Sequence, residues 1–345
     1  MGRSQGVNRN MKVLVTGGAG YVGSHVCAAL RETGHDVWVF DDLSEGHPEA
    51  VEALGVPLIR GSILSQADLD LAFSETGASA VVHMAAKCLV GESVEQPGLY
   101  WRVNVIGSLR LAEAMARAGA KTIVFSSSAA TYGQPDVDII EERAPTEPCN
   151  PYGRTKLVFE QALADMAAAG QLRFAALRYF NAAGAHSSGK IGEDHPVETH
   201  LIPNILKAAM DGERRLKIFG TDYPTPDGTA VRDYVHVEDL ARAHLLALER
   251  LAGGAESRAY NLGTGDGNSV NQVIETARAV TGLEIPADEA PRRAGDPARL
   301  VASNALAHKE LEWSPERNLT DVISSAWDWH SRHPSGYNAR PKSAG

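Results

Sequence analysis

The sequence predicts an α/β protein with a Rossmann-like, doubly wound parallel sheet and a smaller, interleaved α/β domain. From residue 11 onward, short β-branched runs alternate with Ala- and Leu-rich amphipathic stretches, which indicates a parallel sheet covered by helices on both faces. A Gly-rich turn follows the first predicted strand, as it does in doubly wound folds. The 345 residues also suffice for two domains of about 150 residues each.

The first half of the chain contains six predicted buried strands, each rich in β-branched or aromatic residues. They lie at residues 12–16, 36–40, 57–60, 80–83, 122–126 and 174–179. The segments between these strands have the apolar periodicity of amphipathic helices. The order of elements therefore predicts repeated strand–helix units up to about residue 181.

The pattern is less regular after Asn181, where loops rich in Gly, Pro and His surround a predicted helix at 201–211 and a strand at 217–219. Regularity returns with a strand at 232–237, a helix at 238–251 and a strand at 260–263. We therefore predict two interleaved domains with loose ends. The first covers 11–181 with returning segments at about 231–263, the second covers 182–230 and 264–337, and the loose ends are 1–10 and 338–345.

Composition excludes several classes of partner. Lys and Arg number 33 against 43 Asp and Glu, giving a formal charge of −10 that repels nucleic acid and anionic lipid. No apolar run is long enough to span a membrane, and the first ten residues lack the apolar core of a signal peptide. We expect a cytoplasmic protein with neither a nucleic-acid nor a membrane partner.

The cysteines and histidines predict no metal site. The three cysteines form no CxxC pair, which indicates a reducing compartment, and we expect Cys88 and Cys149 to be small buried side chains. The twelve histidines form no HExxH pattern.

The Gly-rich turn at residues 16–23 predicts a dinucleotide site. Gly17, Gly20 and Gly23 suit a tight turn, close approach of backbone N–H groups to a pyrophosphate, and helix-on-strand packing. Asp41 ends the second predicted strand, where a carboxylate accepts hydrogen bonds from the ribose hydroxyls and repels a 2′-phosphate. These features favour NAD over NADP.

A second motif predicts proton transfer to and from an alcohol. Tyr152 and Lys156 are four residues apart at the start of a predicted helix, so both side chains lie on one face. A nearby ammonium favours the phenolate of a tyrosine, which then suits a general base. Ser126 to Ser128 end the fifth predicted strand, at the sheet edge where ligands of open α/β folds bind.

These motifs resemble the extended short-chain dehydrogenase/reductase family and, more narrowly, the UDP-glucose 4-epimerase family. The matching segments are 17–25, 90–94, 125–128, 152–156, 178–181, 184–186, 227–236, 260–263, 267–270, 291–296 and 327–337. The first and fourth are shared across the superfamily, whereas those around Arg232 and Arg293 are much more specific to the epimerases. The resemblance extends over about residues 11–337.

The resemblance implies reversible epimerisation at C4 of UDP-glucose and UDP-galactose through a transient 4-keto sugar. It makes Tyr152 the acid/base and Ser128 its hydrogen-bonding companion. It gives Lys156 the tasks of tuning Tyr152 and holding the nicotinamide ribose. It also implies a homodimer formed through the Ala-rich helices at 100–118 and 152–169.

The resemblance further implies two sets of binding residues. Those expected at NAD are Gly17, Gly20, Tyr21, Val22, Gly23, Asp41, Asp42, Ser62, Ile63, Met84, Ala85, Ala86, Asn104, Ser126, Tyr152, Lys156 and Tyr179. Those expected at the UDP-hexose are Ser128, Tyr152, Asn181, His200, Leu201, Lys217, Phe219, Arg232, Arg293, Asp296 and Leu300. Ser62 stands where the family often has an acidic residue, and His200 replaces an Asn. The replacement of an acidic residue by Ser62 bears on how tightly the cofactor is bound.

Three alternatives stay open or are disfavoured. A 4-epimerase of UDP-N-acetylhexosamine or UDP-pentose is the main alternative, although the intermediate size of Leu300 predicts that UDP-N-acetylglucosamine is at most a secondary substrate. A 4,6-dehydratase is disfavoured because Ala129 and Ala130 occupy the places of its Asp-Glu pair. A non-catalytic NAD-binding sensor would not need Tyr152 and Lys156.

Overall fold

The computed structural model describes residues 10–293 and 296–338. Its strands in chain order are β1 (Lys12–Thr16), β2 (Asp36–Asp41), β3 (Leu58–Arg60), β4 (Ala80–His83), β5 (Thr122–Ser126), β6 (Arg173–Tyr179), β7 (Asn181–Ala183), β8 (Leu216–Phe219), β9 (Val231–Arg232), β10 (Tyr234–His236), β11 (Arg258–Leu262), β12 (Asn268–Ser269), β13 (Ala287–Ala290) and β14 (Arg299–Leu300). A seven-stranded sheet has the order β3-β2-β1-β4-β5-β6-β11, and all its pairings are parallel. The predicted doubly wound sheet is confirmed.

Helices connect these strands and cover the sheet. They are α1 (Tyr21–Glu32), α2 (Pro48–Leu54), α3 (Gln66–Thr76), α4 (Val90–Glu95), α5 (Pro97–Tyr100), α6 (Ser108–Ala118), α7 (Pro151–Ala168), α8 (Leu201–Asp211), α9 (Val237–Ala252), α10 (Val270–Thr281), α11 (Ala305–Leu311) and α12 (Leu319–Arg332). Short 3-10 turns lie at Ala129–Thr131 and Gly336–Asn338, and a π-helix at Trp101–Gly107 joins α5 to α6. Within the described ranges, no helix combines the length and the apolar composition that crossing a bilayer requires.

Apolar packing explains the layers. One buried cluster joins a sheet face to α1 and α9, which pack on each other, and a second joins the other face to α3, α6 and α7. A third cluster is built from α8, α10 and α12. That separate cluster supports the predicted second domain, whose boundaries stay a prediction. Apart from residues 10 and 338, the predicted loose ends lie outside the described residues.

The predicted strand at 232–237 is wrong, because the chain there is divided between two sheets. β9 pairs with β12 and β14, whereas β10 pairs with β7. Asp233 lies between them, fully buried, and its carboxylate accepts hydrogen bonds from the backbone N–H of Thr264 at 2.8 Å and of Ala302 at 3.1 Å. Satisfying a buried carboxylate in this way fixes the crossing between the two sheets.

The small sheets bring the second region together. β12 pairs antiparallel and β14 pairs parallel to β9, while β13 pairs parallel to β8. The second pairing includes the predicted strand at 217–219, which the structure extends by one residue to Leu216.

Candidate active site

The Gly-rich turn fits a dinucleotide phosphate for two reasons. Gly17 and Gly23 allow close backbone packing inside the turn, and Gly20 leaves space in front of the helix that follows. Gly17 has φ +74°, and a Cβ on Gly23 would lie 2.1 Å from the Gly17 carbonyl oxygen. A Cβ on Gly20 would meet only that same oxygen, at 3.4 Å, among the described residues. Gly20 precedes α1, and in the described chain no side chain caps this helix start. The first N–H groups of α1, from Tyr21, Val22 and Gly23, thus have the geometry to hold an anion, and their contact with a cofactor stays a prediction.

Asp41 lies at the end of β2 and is only 8% exposed. Its carboxylate accepts hydrogen bonds from the N–H of Ala19 at 3.0 Å and of Leu43 at 2.9 Å. Burial raises the pKa of Asp41, and these two N–H donors oppose the shift. Asp41 is thereby fixed beside the Gly-rich turn, and neighbouring Asp42 accepts from the Ser44 N–H.

The loops after β3 and β4 border the same turn. The Ser62 N–H donates to Asp68 at 3.0 Å, so a carboxylate from α3 reaches this loop although residue 62 is not acidic. Ile63 is buried, and a Cβ on Gly107 would lie 2.7 Å from its Cδ1. The π-helix thus approaches the loop closely because Gly107 has no side chain.

After β4, the backbone of Met84 and Ala85 is bound to β1, since both N–H groups donate to the Thr16 carbonyl. Ala86 follows them. The Asn104 amide in the π-helix is bound to Lys87, accepting its N–H at 2.8 Å and donating to its carbonyl at 2.9 Å. Asn104 therefore fixes this loop, and its direct contact with a cofactor stays a prediction.

Lys156 lies on α7, 4% exposed, at the carboxyl end of the sheet. Its Nζ donates to the Ser126 carbonyl at 2.8 Å and lies 4.9 Å from the Phe125 ring centroid and 5.8 Å from that of Tyr152. Burial lowers the pKa of Lys156 to about 8. The ammonium is thus close to Tyr152, as the spacing of the two residues predicts.

Tyr152 is brought to Ser128 by close packing of α7. Asn150 caps this helix by accepting the Gly153 N–H at 2.8 Å. A Cβ on Gly153 would lie 2.3 Å from the Ala130 carbonyl oxygen, so glycine is needed for α7 to touch the turn that begins at Ser128. Burial raises the pKa of Tyr152, and a hydrogen bond with Ser128 opposes the shift. The predicted Tyr–Ser pair is therefore present.

Tyr179 ends β6 next to this pair. Its hydroxyl lies 2.5 Å from the Ser126 hydroxyl, and burial raises the pKa of Tyr179 to about 12. The two strand ends β5 and β6 therefore meet beside Lys156, whose Nζ binds the Ser126 carbonyl.

A second cluster lies around β8, β9 and β14. Arg232 in β9 forms an ion pair with Asp296. Leu300 in the adjacent strand β14 is the backbone register partner of Arg232. The Arg293 guanidinium stacks 4.1 Å from the Phe219 ring centroid. Lys217 in β8 is the backbone register partner of Asp288 in β13. The structure thus groups these predicted substrate residues.

His200 and Asn181 belong to other segments. His200 immediately precedes Leu201 at the start of α8. Burial lowers the pKa of His200, but hydrogen bonds to Glu193 and Glu198 outweigh it and raise the pKa. Asn181 begins β7, and its N–H donates to the Asp233 carbonyl at 3.0 Å.

Comparison with known proteins decides the family. The NAD dependent epimerase/dehydratase family matches residues 13–263. A UDP-glucose 4-epimerase from Corynebacterium glutamicum is 52% identical over 335 residues, covering 97% of this chain and 100% of that protein. The chain belongs to the NAD dependent epimerase/dehydratase family, among the UDP-glucose 4-epimerases.

Solved structures of epimerases have the same fold. A crystal structure of a UDP-glucose 4-epimerase has a TM-score of 0.92 at 48% identity, covering 94% of this chain and 99% of the other. A second, from Stenotrophomonas maltophila with bound NAD and formylated UDP-arabinopyranose, has a TM-score of 0.92 at 44% identity and the same coverage. The predicted family and fold class are confirmed.

Sequence reasoning missed the buried polar network behind the epimerase's Tyr152 and Lys156. Glu160, one further turn along α7, accepts hydrogen bonds from Ser127 and from Arg178 Nε at 3.0 Å. The side chains of Arg178 and Glu160 are 8% and 7% exposed. The i+4 spacing from Lys156 to Glu160 could have indicated that both side chains lie on one face of α7. The contact of Arg178 with Glu160, however, depends on how β6 packs against α7.

The expectation for two cysteines was wrong. Cys88 and Cys149 are exposed in the epimerase, whereas Cys27 is buried. Both exposed cysteines lie in loops, Cys88 after β4 and Cys149 before α7, rather than in the strands and helices that form the buried core.

Proposed function

We propose that the protein interconverts UDP-glucose and UDP-galactose by reversible epimerisation at C4, through a transient 4-keto sugar. The observation that carries this proposal is the grouping of Tyr152, Ser128 and Lys156 at the carboxyl end of a sheet that also holds the Gly-rich turn. Full-length similarity to UDP-glucose 4-epimerases supports it.

Tyr152 takes the proton of the sugar 4-hydroxyl and later returns it. Ser128, hydrogen-bonded to Tyr152, binds the same sugar oxygen. The buried Lys156 ammonium stabilises the phenolate form of Tyr152 and binds the ribose next to the nicotinamide. Glu160 and Arg178 hold α7 against β6. Tyr152, Ser128 and Lys156 therefore keep their positions while the 4-keto sugar rotates to present its other face.

NAD, when bound, supplies the acceptor and donor of the C4 hydride. The N–H groups at the start of α1 bind its pyrophosphate, since this turn leaves space there. The Asp41 carboxylate binds the adenosine ribose and disfavours a 2′-phosphate. The other residues assigned to this site are Asp42, Ser62, Ile63, Met84, Ala85, Ala86, Asn104, Ser126 and Tyr179.

The UDP part of the substrate is held firmly, because the hexose must be free to present either face. Arg232 and Arg293 bind the pyrophosphate, for which a guanidinium fork is well suited, and Asp296 binds the uridine ribose. Lys217 and Phe219 border the uracil, and Asn181, His200 and Leu201 border the sugar phosphate. Leu300 lies near the sugar 2-position and limits turnover of UDP-N-acetylglucosamine.

We also place the protein in the cytoplasm as a homodimer. Val94 on α4 and Trp101 and Ile106 in the π-helix are 63%, 38% and 47% exposed. Such a group of exposed apolar side chains next to α6 is typical of an interface. Light scattering at twice the chain mass is expected, and the mass of a single chain would contradict the dimer.

The direct test is to incubate the purified protein with UDP-galactose and no added NAD. We expect UDP-glucose to form and NAD to be released on denaturation. UDP-N-acetylgalactosamine and a UDP-pentose are assayed in parallel. Equal turnover of the acetylated sugar would contradict the assignment of Leu300, and absence of UDP-glucose even with added NAD would contradict the proposed function.

A further inference from the structure

The segment between β7 and α8 gathers two glutamates and two histidines that the proposed reaction does not explain as a group. Glu193, His195, Glu198 and His200 each place one donor atom within 4.8 Å of all the others. The glutamate side chains are 4% and 5% exposed, and those of the histidines 18% and 41%. In the sequence the spacing matches no standard metal motif, and only the folded loop brings the donors together.

The separations between these atoms suit a small tetrahedral centre. His195 Nδ1 lies 3.4 Å from both Glu193 Oε1 and Glu198 Oε2. His200 Nδ1 lies 3.1 Å from Glu193 Oε1 and 2.9 Å from Glu198 Oε1. Zinc bonds of about 2.0–2.1 Å in a tetrahedron give ligand-to-ligand distances of about 3.3 Å. The four histidine-to-glutamate separations lie close to this value, and no two donor atoms of the set are more than 4.8 Å apart.

The cluster also suits a cation. Two buried carboxylates need compensating positive charge, and among the described residues their ion pairs are all with His195 and His200. A bound divalent cation would supply this charge while the imidazoles stay neutral. His330 is 6% exposed, and its Nε2 has no hydrogen-bond partner among the described residues. Trp329, the residue before His330, donates from its indole nitrogen to the Glu193 carbonyl at 3.3 Å, so this part of α12 packs against the segment that holds the cluster.

We propose that Glu193, His195, Glu198 and His200 bind one divalent transition-metal ion, for which Zn²⁺ is the best match. Mixed imidazole and carboxylate donors suit zinc, whereas Ca²⁺ and Mg²⁺ prefer oxygen ligands alone. Four protein ligands make a closed site with a structural role. The histidines bind through Nδ1, which leaves Nε2 of half-exposed His200 as a donor for substrate.

The location suggests what the metal stabilises. The His195 ring contacts the Tyr21 ring edge-on, with centroids 6.3 Å apart, and Tyr21 begins α1 directly after the Gly-rich turn. His200 immediately precedes α8. The ion would therefore fix the segment that joins the start of α8 to the cofactor turn.

The test uses the full chain without a histidine tag. The zinc content after dialysis is measured by plasma mass spectrometry for the wild type, for His195→Ala and for Glu198→Gln. His308→Ala is the matched control, because this histidine lies on α11 and its side chain hydrogen-bonds only to Ser314 among the described residues. We expect about one zinc per chain in the wild type and the control, and at least a tenfold lower content in the two other variants.

A wild-type measurement keeps the test valid if a variant fails to fold. Co²⁺ added to metal-free wild type should give the intense visible absorption of a tetrahedral centre. A weak octahedral spectrum, no bound zinc in the wild type, or equal zinc in folded His195→Ala would overturn the proposal. Because the readouts are metal content and spectra, they are independent of epimerase activity.

Discussion

Replacing Lys156 by Met should raise the pKa of Tyr152 and lower turnover at neutral pH. The Lys156 Nζ lies 5.8 Å from the Tyr152 ring centroid. This distance to the ring sets the scale of the interaction with the phenolate. At an effective dielectric constant of about 20, unit charges about 6 Å apart interact by about 3 kcal/mol, which corresponds to about 2 pKa units. If turnover follows the phenolate fraction, kcat at pH 7 falls by about 100-fold.

The pH dependence gives the sign of this effect. The ammonium favours phenolate, so its loss moves the acidic limb of the kcat profile toward higher pH. Since burial lowers the pKa of Lys156 to about 8, the wild-type advantage should be largest below pH 8 and shrink above it. The assay follows UDP-galactose conversion from pH 6 to 10 at saturating NAD. Lys309→Met, at an exposed position of α11, is the control, and an unchanged profile for Lys156→Met would contradict this role of Lys156.

Three further substitutions test the chemistry of the site and the packing around it. Tyr152→Phe should lower kcat by about 10²–10⁴-fold while calorimetry shows unchanged UDP affinity; wild-type turnover would remove Tyr152 from the mechanism. Gly23→Ala places a Cβ 2.1 Å from the Gly17 oxygen and should cost about 1–3 kcal/mol of unfolding free energy, so an unchanged denaturation midpoint would be inconsistent with this packing. Glu160→Gln leaves the buried Arg178 guanidinium without its carboxylate and should cost about 3–5 kcal/mol, measured by urea unfolding; a loss below about 1 kcal/mol would show that Arg178 is compensated elsewhere.

The sequence predicts the parallel sheet well because strands that are buried on both faces have continuous apolar runs, which are visible in a single sequence. The strands at 12–16, 80–83 and 122–126 have the predicted bounds, since continuous apolar runs mark strands buried on both faces. The strand at 232–237 could not be predicted correctly. Its division depends on hydrogen bonds from Thr264 and Ala302 to Asp233, which are distant in sequence.

The candidate site shows the same limit. Tyr152, Lys156 and the Gly-rich turn are local motifs, so residue type and spacing alone indicate their chemistry. The contact of Arg178 with Glu160 and the convergence of residues 193–200 depend on how loops and helices pack. Such contacts leave no periodic signal in one sequence, and only the fold reveals them.

Deuterium placed at C4 of UDP-galactose reports directly on the transfer and return of the hydride. We expect UDP-glucose to form with deuterium retained at C4, because the hydride returns to the same carbon without exchange with water. Tyr152→Phe, under the same conditions, should form product far more slowly but with the same retention. Product from the wild-type protein that has lost its deuterium to solvent would contradict transient oxidation at C4.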